Sequence, residues 1–386
     1  MRIAIFGVGQ LARMMAQAAE SLDFECVFVR VENESTDCVD GLGKTVDLSE
    51  FVTSDNGVDV DRFYRALDKP DVVTVEKEDV PVPLLIALQS FCAVYPCPEA
   101  VALTQDRGKE KNLLRELSIP TTPFFVVNQS DELMPGVGKL GYPVFIKSLR
   151  SGYDGKQQWF VSDDLGLREV QQNFPDGGVI LEAKVDFLRE VSLIAVRNPQ
   201  GEIQFYPAAE NKHEQGVLIT SIAPAKDFDT VLESRGKEYL KRLLEHWDYV
   251  GALAMECFVT TEGLLVNELA PRVHNSGHWT MQPDVTSQFE NHLRAITGTP
   301  FGSTEPKAVY GMVNILGHYQ PLQHQNVLEE LNCDLHWYEK TPKPRRKMGH
   351  INIQRPDYKS LEADLLKLES SVYQCEPNSS GDVLAS

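Results

Sequence analysis

The chain has 386 residues, room for two or three domains, and 42% of them are hydrophobic, so it builds a core. Lys and Arg number 37 against 56 Asp and Glu, a formal charge of −19, which argues against general binding to nucleic acid or to an anionic membrane. Seven cysteines without Cys-x-x-Cys spacing give neither a disulfide framework nor a structural zinc site; reduced thiols of a cytoplasmic protein fit, with no cleavable leader and no membrane span expected.

Arg2–Phe6 reads as a short apolar strand. Gly7-Val8-Gly9-Gln10-Leu11-Ala12 follows, then Leu11, Met14, Met15, Ala18 and Leu22 at helical spacing. A strand, glycine turn and helix in this order open a doubly wound α/β domain, and amides at the helix N-terminus suit a phosphate. A dinucleotide fingerprint would look much the same, with Ala12 as its third small residue and Glu32 as the ribose ligand, and a plain tight turn is the third reading. Asp71–Val75 is another strand, leading into Glu76-Lys77-Glu78. Prolines 81, 83, 96 and 98 punctuate the end of this domain, and a charged helix from about Gln105 to Leu117 leads onward.

Tyr142–Lys147 is a strand whose Lys147 can reach phosphate oxygens as a point charge. Ser151-Gly152-Tyr153-Asp154-Gly155-Lys156-Gln157-Gln158 is a hairpin turn with one more glycine than a hairpin needs, which lets backbone close over phosphates. Gly178–Ala183 is apolar and runs into Lys184-Val185. Glu190 alternates in facing with Val191 and Leu193, so an exposed carboxylate is its plain reading. Leu232–Trp247 is an amphipathic helix, read as core support.

Ala252–Val259 and Leu264–Leu269 flank Thr261-Glu262-Gly263, a hairpin with a three-residue loop and Gly263 at the left-handed position. Symmetry about Glu262 sets Glu256 opposite Glu268. Facing carboxylates repel, so a divalent cation such as Mg²⁺ between them, with Asn267 alongside, is the economical reading; a solvent-facing pair is the plain one. The loop Pro271-Arg272-Val273-His274-Asn275-Ser276-Gly277-His278 is dense in donors suited to an anion. From about Phe301 a smaller domain begins, with strands at Val309–Leu316 and Lys347–Ile353. Between them Lys340, Lys343, Arg345, Arg346 and Lys347 form a basic cluster that is exceptional in so acidic a chain. A solvated turn is the usual meaning, but the aromatic lead-in His336-Trp337-Tyr338 favours a sugar-phosphate pocket. The tail Glu376–Ser386 is polar and expected to fray.

A strand Glu, a second strand ending Asn-Glu and then Ala-Pro-Arg-Val-His-Asn-Ser-Gly-His resembles the ATP-grasp enzymes, and within them the 5-(carboxyamino)imidazole ribonucleotide synthase family of purine biosynthesis. Gly7–Leu11, Gly152–Lys156, Leu335–Tyr338 and Lys347–His350 agree, so the resemblance spans nearly the whole chain. It implies an ATP-grasp fold, α/β and α+β, with a doubly wound domain (1–100), a central nucleotide-binding domain (101–300) and a C-terminal domain (301–386). It implies a cytoplasmic homodimeric ligase using ATP, Mg²⁺ and bicarbonate to carboxylate 5-aminoimidazole ribonucleotide through carboxyphosphate.

By the same resemblance Gln10, Leu11, Glu76, Tyr153 and Asp154 face the ribonucleotide, and Lys340, Arg346 and Lys347 hold its phosphate. Arg107, Lys147, Gly152, Tyr153, Gly155, Lys156, Gln157, Gln158, Glu190, His213 and Asn267 serve the nucleotide. Glu182 and the backbone of Ala183, Lys184 and Val185 read adenine. Glu256 and Glu268 hold the metal. Arg272, His274 and Asn275 hold bicarbonate and the amine, with Asp154 or His274 managing the proton. Relatives commonly carry glycine where this chain has Ala12, Gln157 and Arg345, and arginine where it has Lys343. A nicotinamide-dependent oxidoreductase, resting on the first glycine loop, and a non-catalytic nucleotide sensor on the same fold are the alternatives.

Overall fold

The structure, a computed structural model, describes residues 1–54, 57–150, 157–317 and 325–373. The expected frayed tail lies outside the described residues. Near the N-terminus, β1 (Arg2–Phe6), β2 (Glu25–Arg30), β3 (Lys44–Asp47), β4 (Val72–Val75) and β5 (Ala93–Val94) form a parallel sheet in the order β3-β2-β1-β4-β5. Helices cover both faces, so the central strands read as unbroken apolar runs rather than alternating ones, and β4 is buried at every residue. The helix Gln10–Ser21 follows β1 and packs on the helix Gln288–Thr297.

A second sheet, antiparallel, has the order β6-β9-β7-β8, built from β6 (Phe124–Val127), β7 (Val144–Ser148), β8 (Gln158–Val161) and β9 (Val179–Ala183). The largest sheet has nine strands. They are β10 (Arg189–Arg197), β11 (Ile203–Phe205), β12 (Ala209–Glu214), β13 (Val217–Ala223), β14 (Gly251–Thr260), β15 (Gly263–Ala270), β16 (Val309–Leu316), β17 (Asp334–Trp337) and β18 (Lys347–Arg355). Its order is β15-β14-β10-β12-β13-β16-β18-β17, with β11 paired to β10. Strand β16 pairs with β13, so the C-terminal strands extend this sheet across the expected boundary near residue 300. The expected support helix runs Thr230–His246, its first amides capped by Asp229 Oδ1, which accepts from Val231 and Leu232.

The parallel sheet and the large sheet are joined through one buried imidazole. His292 Nδ1 accepts the Ala252 N–H at 3.0 Å, so the proton resides on Nε2, which donates to Thr74 Oγ1 at 2.9 Å. Both His292 and Thr74 are fully buried. A Cβ at Gly251, whose φ is +117°, would come 2.9 Å from His292 Cε1, so the ring demands glycine there. Burial pushes His292 down from 6.5 to about 4. The folded state therefore holds it neutral while the unfolded chain takes up a proton below 6.5. Its contribution is intact above that value and is lost as pH falls toward about 4, roughly 3 kcal/mol in all. Melting temperatures of the wild type and of His292→Gln, measured from pH 7 to pH 4, are expected to show a shallower acid-side decline in the variant, from a lower starting value. Parallel declines would mean that the ring is not the group responsible.

Candidate active site

The hairpin brings Glu256 and Glu268 opposite one another as expected, but by a different route. Thr260 pairs with Gly263, so the loop is two residues, Thr261 and Glu262, with Gly263 at a φ of +135°. Continued regularly, that register would set Asn267 against Glu256. A bulge intervenes: Cys257 pairs with Val266, then Glu256 with Glu268, leaving Asn267 as the extra residue. Glu256 is largely buried whereas Glu268 is exposed. Burial raises the Glu256 carboxyl first and Glu268 raises it further, while His213 and Lys347 oppose both. A cation shared by the two carboxylates would relieve that repulsion, so the residues fit a divalent metal. Among the described residues no group of three or more His, Cys, Asp or Glu forms a metal cage. The pair would thus supply two ligands to such an ion, leaving the rest to phosphate and water.

Glu190, His213, Glu256 and Asn267 line one small cleft, joined by Asn211. Glu190 is on β10 beside β14, and His213 Nδ1 lies 2.8 Å from Glu190 Oε2. Burial would lower His213, but Glu190, Glu256 and Glu268 outweigh it and hold the ring above its ordinary value. The expected nucleotide carboxylate and histidine thus stand together beside the expected metal pair.

Lys147, near the end of β7, donates to Glu182 Oε2 at 2.6 Å. Glu182 is buried at the end of β9. Burial alone would raise its carboxyl; Lys111, Lys147 and Arg107 hold it well below the usual range. Arg107 opens the helix Arg107–Glu116 and donates from Nη1 to the Ser148 carbonyl. The Ala183 and Lys184 amides donate to the Pro123 and Pro143 carbonyls, so an adenine edge there would meet the Lys184 carbonyl and the Val185 amide. Gly152, Tyr153, Asp154, Gly155 and Lys156 lie outside the described residues. Gln157 is left-handed at φ +52°, and Arg345 at +59°. Both conformations are ones that glycine adopts more readily than other residues, in keeping with the glycines that the resemblance implies at these positions. Gln158 opens β8 opposite Lys147.

In the loop after β15, Arg272 pairs with Glu78 at 2.8 Å. Burial lowers the guanidinium, but Glu78, Glu268 and Glu76 raise it more. His274 Nε2 lies 3.5 Å from Glu256 Oε1, and its Nδ1 accepts the Ser276 amide at 3.3 Å. Burial, then Arg272 and Lys347, push His274 well below its ordinary value, so it is neutral. Asn275 departs from expectation. Its side chain is buried and exchanges two hydrogen bonds with Asn314, at 3.0 and 2.7 Å, so its amide braces the loop against β16 instead of facing a ligand.

The first glycine loop also departs from expectation. Glu76 Oε1 accepts the Gly9 amide, and Oε2 accepts the Ala12 amide at 2.7 Å. The amides expected to hold a phosphate are therefore filled by the protein's own carboxylate. A Cβ on Gly7 would lie 2.1 Å from Glu76 Cγ, and one on Gly9 2.8 Å from Glu76 Oε1, so these glycines make room for Glu76. A dinucleotide pyrophosphate needs those same amides, and Glu32 is an exposed residue; both observations count against the nicotinamide reading. Gln10 and Leu11 open the helix at this loop. The basic cluster does reach it: Lys340 Nζ donates to Gln10 Oε1 across 330 residues of sequence. Arg346 is half-buried and donates to the Thr341 carbonyl. Lys347, at the start of β18, adds its charge to Lys340 on one side and to Glu256 and His274 on the other.

Sequence reading missed Lys111, Glu110 and Glu78. Lys111 and Glu110 are buried on a helix whose composition reads as solvated, and no local pattern marks them. Glu78, two residues beyond Glu76, alternates with it and was a findable candidate.

Residues 1–105 match the ribonucleotide synthetase preATP-grasp domain, 112–289 the ATP-grasp domain and 311–364 the phosphoribosylaminoimidazole carboxylase C-terminal domain. The N5-carboxyaminoimidazole ribonucleotide synthase of Vibrio cholerae is 38% identical over 375 residues, 95% of this chain and 94% of its own length. That of Pseudomonas aeruginosa is 37% identical over 96% of this chain and 99% of its own. Among solved structures, the synthetase of Thermus thermophilus superposes with a TM-score of 0.87 at 40% identity, covering 97% of this chain and 99% of that one. The Aspergillus clavatus synthase in complex with ADP and 5-aminoimidazole ribonucleotide superposes at 0.84 with 26% identity, covering 97% and 98%. Similarity of this extent, running through all three matched domains, makes the chain a member of the N5-carboxyaminoimidazole ribonucleotide synthase family.

Proposed function

We propose that this ATP-dependent ligase carboxylates 5-aminoimidazole ribonucleotide with bicarbonate, giving the carboxyamino product, ADP and phosphate. The observation that carries the site assignment is the facing Glu256 and Glu268 pair, flanked by Glu190 and His213 on one side and Arg272 and His274 on the other. A bicarbonate oxygen takes the γ-phosphoryl group of ATP, ADP leaves, and carboxyphosphate results. The exocyclic amine then bonds to the carboxyl carbon, directly or after local release of CO₂; phosphate leaves and the amine gives up a proton. Glu256 and Glu268 would hold Mg²⁺, which would supply positive charge to offset that of the phosphates.

Lys147 and Arg107 supply positive charge to the phosphates, and Glu190 suits the ribose hydroxyls. Adenine is read by the Lys184 carbonyl and the Val185 amide, beside Glu182. Arg272 and the Nε2–H of His274 hold the bicarbonate and carboxyphosphate oxygens. Because His274 Nδ1 is engaged by Ser276, its outward nitrogen is a donor in this tautomer; Asp154 then becomes the better candidate for the amine proton. Lys340, Arg346 and Lys347 hold the ribonucleotide phosphate, with Gln10 and Glu76 nearer its neutral end. The same reading carries a cytoplasmic homodimer, which sedimentation would check; no helix among the described residues is long and apolar enough to cross a membrane. ADP release that requires bicarbonate and aminoimidazole ribonucleotide together tests the activity. Release indifferent to both would favour a nucleotide sensor.

Glu268→Gln removes one charged metal ligand and is expected to lower kcat/KM by roughly 100-fold or more, about 3 kcal/mol. Near-normal turnover at ordinary Mg²⁺ would make the pair structural. Arg346→Ala is expected to raise the KM for the ribonucleotide about 10- to 100-fold, corresponding to ~1.5–3 kcal/mol for a hydrogen bond to a charged group, with the KM for ATP nearly unchanged. Lys347→Ala, whose charge also acts on Glu256 and His274, is expected to lower kcat as well. Initial rates with each substrate varied separately distinguish the two, and unaltered ribonucleotide dependence in both would return the cluster to a solvated turn.

A further inference from the structure

Lys111 is 1% exposed, yet its charge lies deep against the back of the metal hairpin. Its Nζ donates to Thr121 Oγ1 at 2.9 Å, to the Val266 carbonyl at 3.2 Å and to the Asn267 carbonyl at 2.7 Å. It also lies 3.6 Å from Glu182 Oε1. The two carbonyls are the informative contacts. In a regular strand, successive carbonyls point to opposite edges. Val266 faces the outer edge of β15: its amide donates to the Pro120 carbonyl at 2.8 Å, and its carbonyl also accepts Thr121 Oγ1 at 2.6 Å. The Asn267 carbonyl should then turn inward to β14. It turns outward instead, to the same ammonium. Asn267 is the extra residue of the bulge, and the bulge exchanges Asn267 for Glu268 opposite Glu256.

A carbonyl turned out of the ladder and buried costs free energy unless a donor meets it. A lysine is suited to the task, since one ammonium offers three donors on one atom. Those three donors are matched here by Thr121, Val266 and Asn267, and Glu182 lies close enough to balance the charge. The same ammonium thus touches both the strand that carries Glu268 and the carboxylate beside Lys147.

We propose that Lys111 is a positioning residue for the metal pair: its ammonium holds the Asn267 bulge open and so sets Glu268 opposite Glu256. The inference rests on reading Glu256 and Glu268 as metal ligands. It is tested by Mn²⁺ binding to the full-length chain in the presence of ADP, with free Mn²⁺ followed by electron paramagnetic resonance, for the wild type, Lys111→Met and Glu268→Gln. Lys111→Met is expected to weaken Mn²⁺ binding by about tenfold or more, the range for a group that orients a metal ligand from behind. The KM for the ribonucleotide should stay within about twofold, because the basic cluster is left alone. A role in stability only would lower the melting temperature and leave the Mn²⁺ constant unchanged, which overturns the proposal. If Lys111→Met does not fold, Thr121→Val carries the test by removing one acceptor of the ammonium. A weaker Mn²⁺ constant in that variant supports the proposal, and an unchanged one overturns it. Unaltered binding in Glu268→Gln means that the metal reading itself has failed. Loss in Glu268→Gln with none in Lys111→Met means that only the role given to Lys111 has failed.

Discussion

Two carboxylates facing each other across neighbouring strands are the constraint around which the rest of the site is arranged. In water such a pair costs little; with Glu256 largely buried it disfavours the ionised form, and the surroundings must compensate. The chain is acidic overall, yet Arg107, Lys111, Lys147, Arg272 and Lys347 act on the buried carboxylates of this one region. Each of these cations is committed to a protein partner or lies within reach of one: Lys147 to Glu182, Arg272 to Glu78, Lys111 to the bulge. A polyanionic nucleotide would thus enter a region whose positive charge is already organised, so little rearrangement is required to receive it.

The three sheets are arranged to bring these groups together from distant parts of the chain. The parallel sheet carries Glu76 and Glu78 at the end of β4, the small antiparallel sheet carries Lys147 and Glu182, and the large sheet carries Glu190, Glu256 and Glu268. Arg272 to Glu78 ties the large sheet to the parallel one, as does His292 to Thr74, and Lys111 ties the hairpin to the small sheet. Lys340 to Gln10 closes the C-terminal cluster onto the first glycine loop. These ties are polar and buried or half-buried, so they fix relative placement more than they add net stability.

Much of this was readable in the sequence, and its failures have physical causes. Apolar runs, glycine turns and the helical spacing after Gly9 located β1, the hairpin of Glu256 and Glu268, and the first helix, because burial writes itself into residue order. The facing of Glu256 and Glu268 was anticipated from a three-residue loop, whereas a two-residue loop and a bulge deliver it; two register changes cancelled, and no residue type announces a bulge. Asn275 sits in a motif dense in donors, but its partner Asn314 lies on a strand 39 residues away, so its inward turn was invisible. The glycine loop left a phosphate site, a dinucleotide fingerprint and a plain turn open, and its amides meet the side chain of Glu76, 67 residues from Gly9, which no local pattern announces. Lys111 occupies a helix of charged residues, and sequence alone could not separate the buried lysine from its solvated neighbours Lys109 and Arg115.

The two histidines of the site show how position, not residue type, decides charge. His213 and His274 both approach Glu256, and burial lowers both. For His213 three carboxylates, Glu190, Glu256 and Glu268, outweigh burial and favour the imidazolium. For His274, Arg272 and Lys347 add to burial and together outweigh Glu256, 3.5 Å away, so the ring stays neutral. His213 lies against Glu190 in the cleft shared with Glu256 and Asn267, and His274 lies in the loop that carries Arg272. Arg272 and Lys347 supply the positive charge beside His274. His274 can donate there without adding a charge that would repel those cations. A cationic ring in the surroundings of His274 would set a third positive charge beside Arg272 and Lys347.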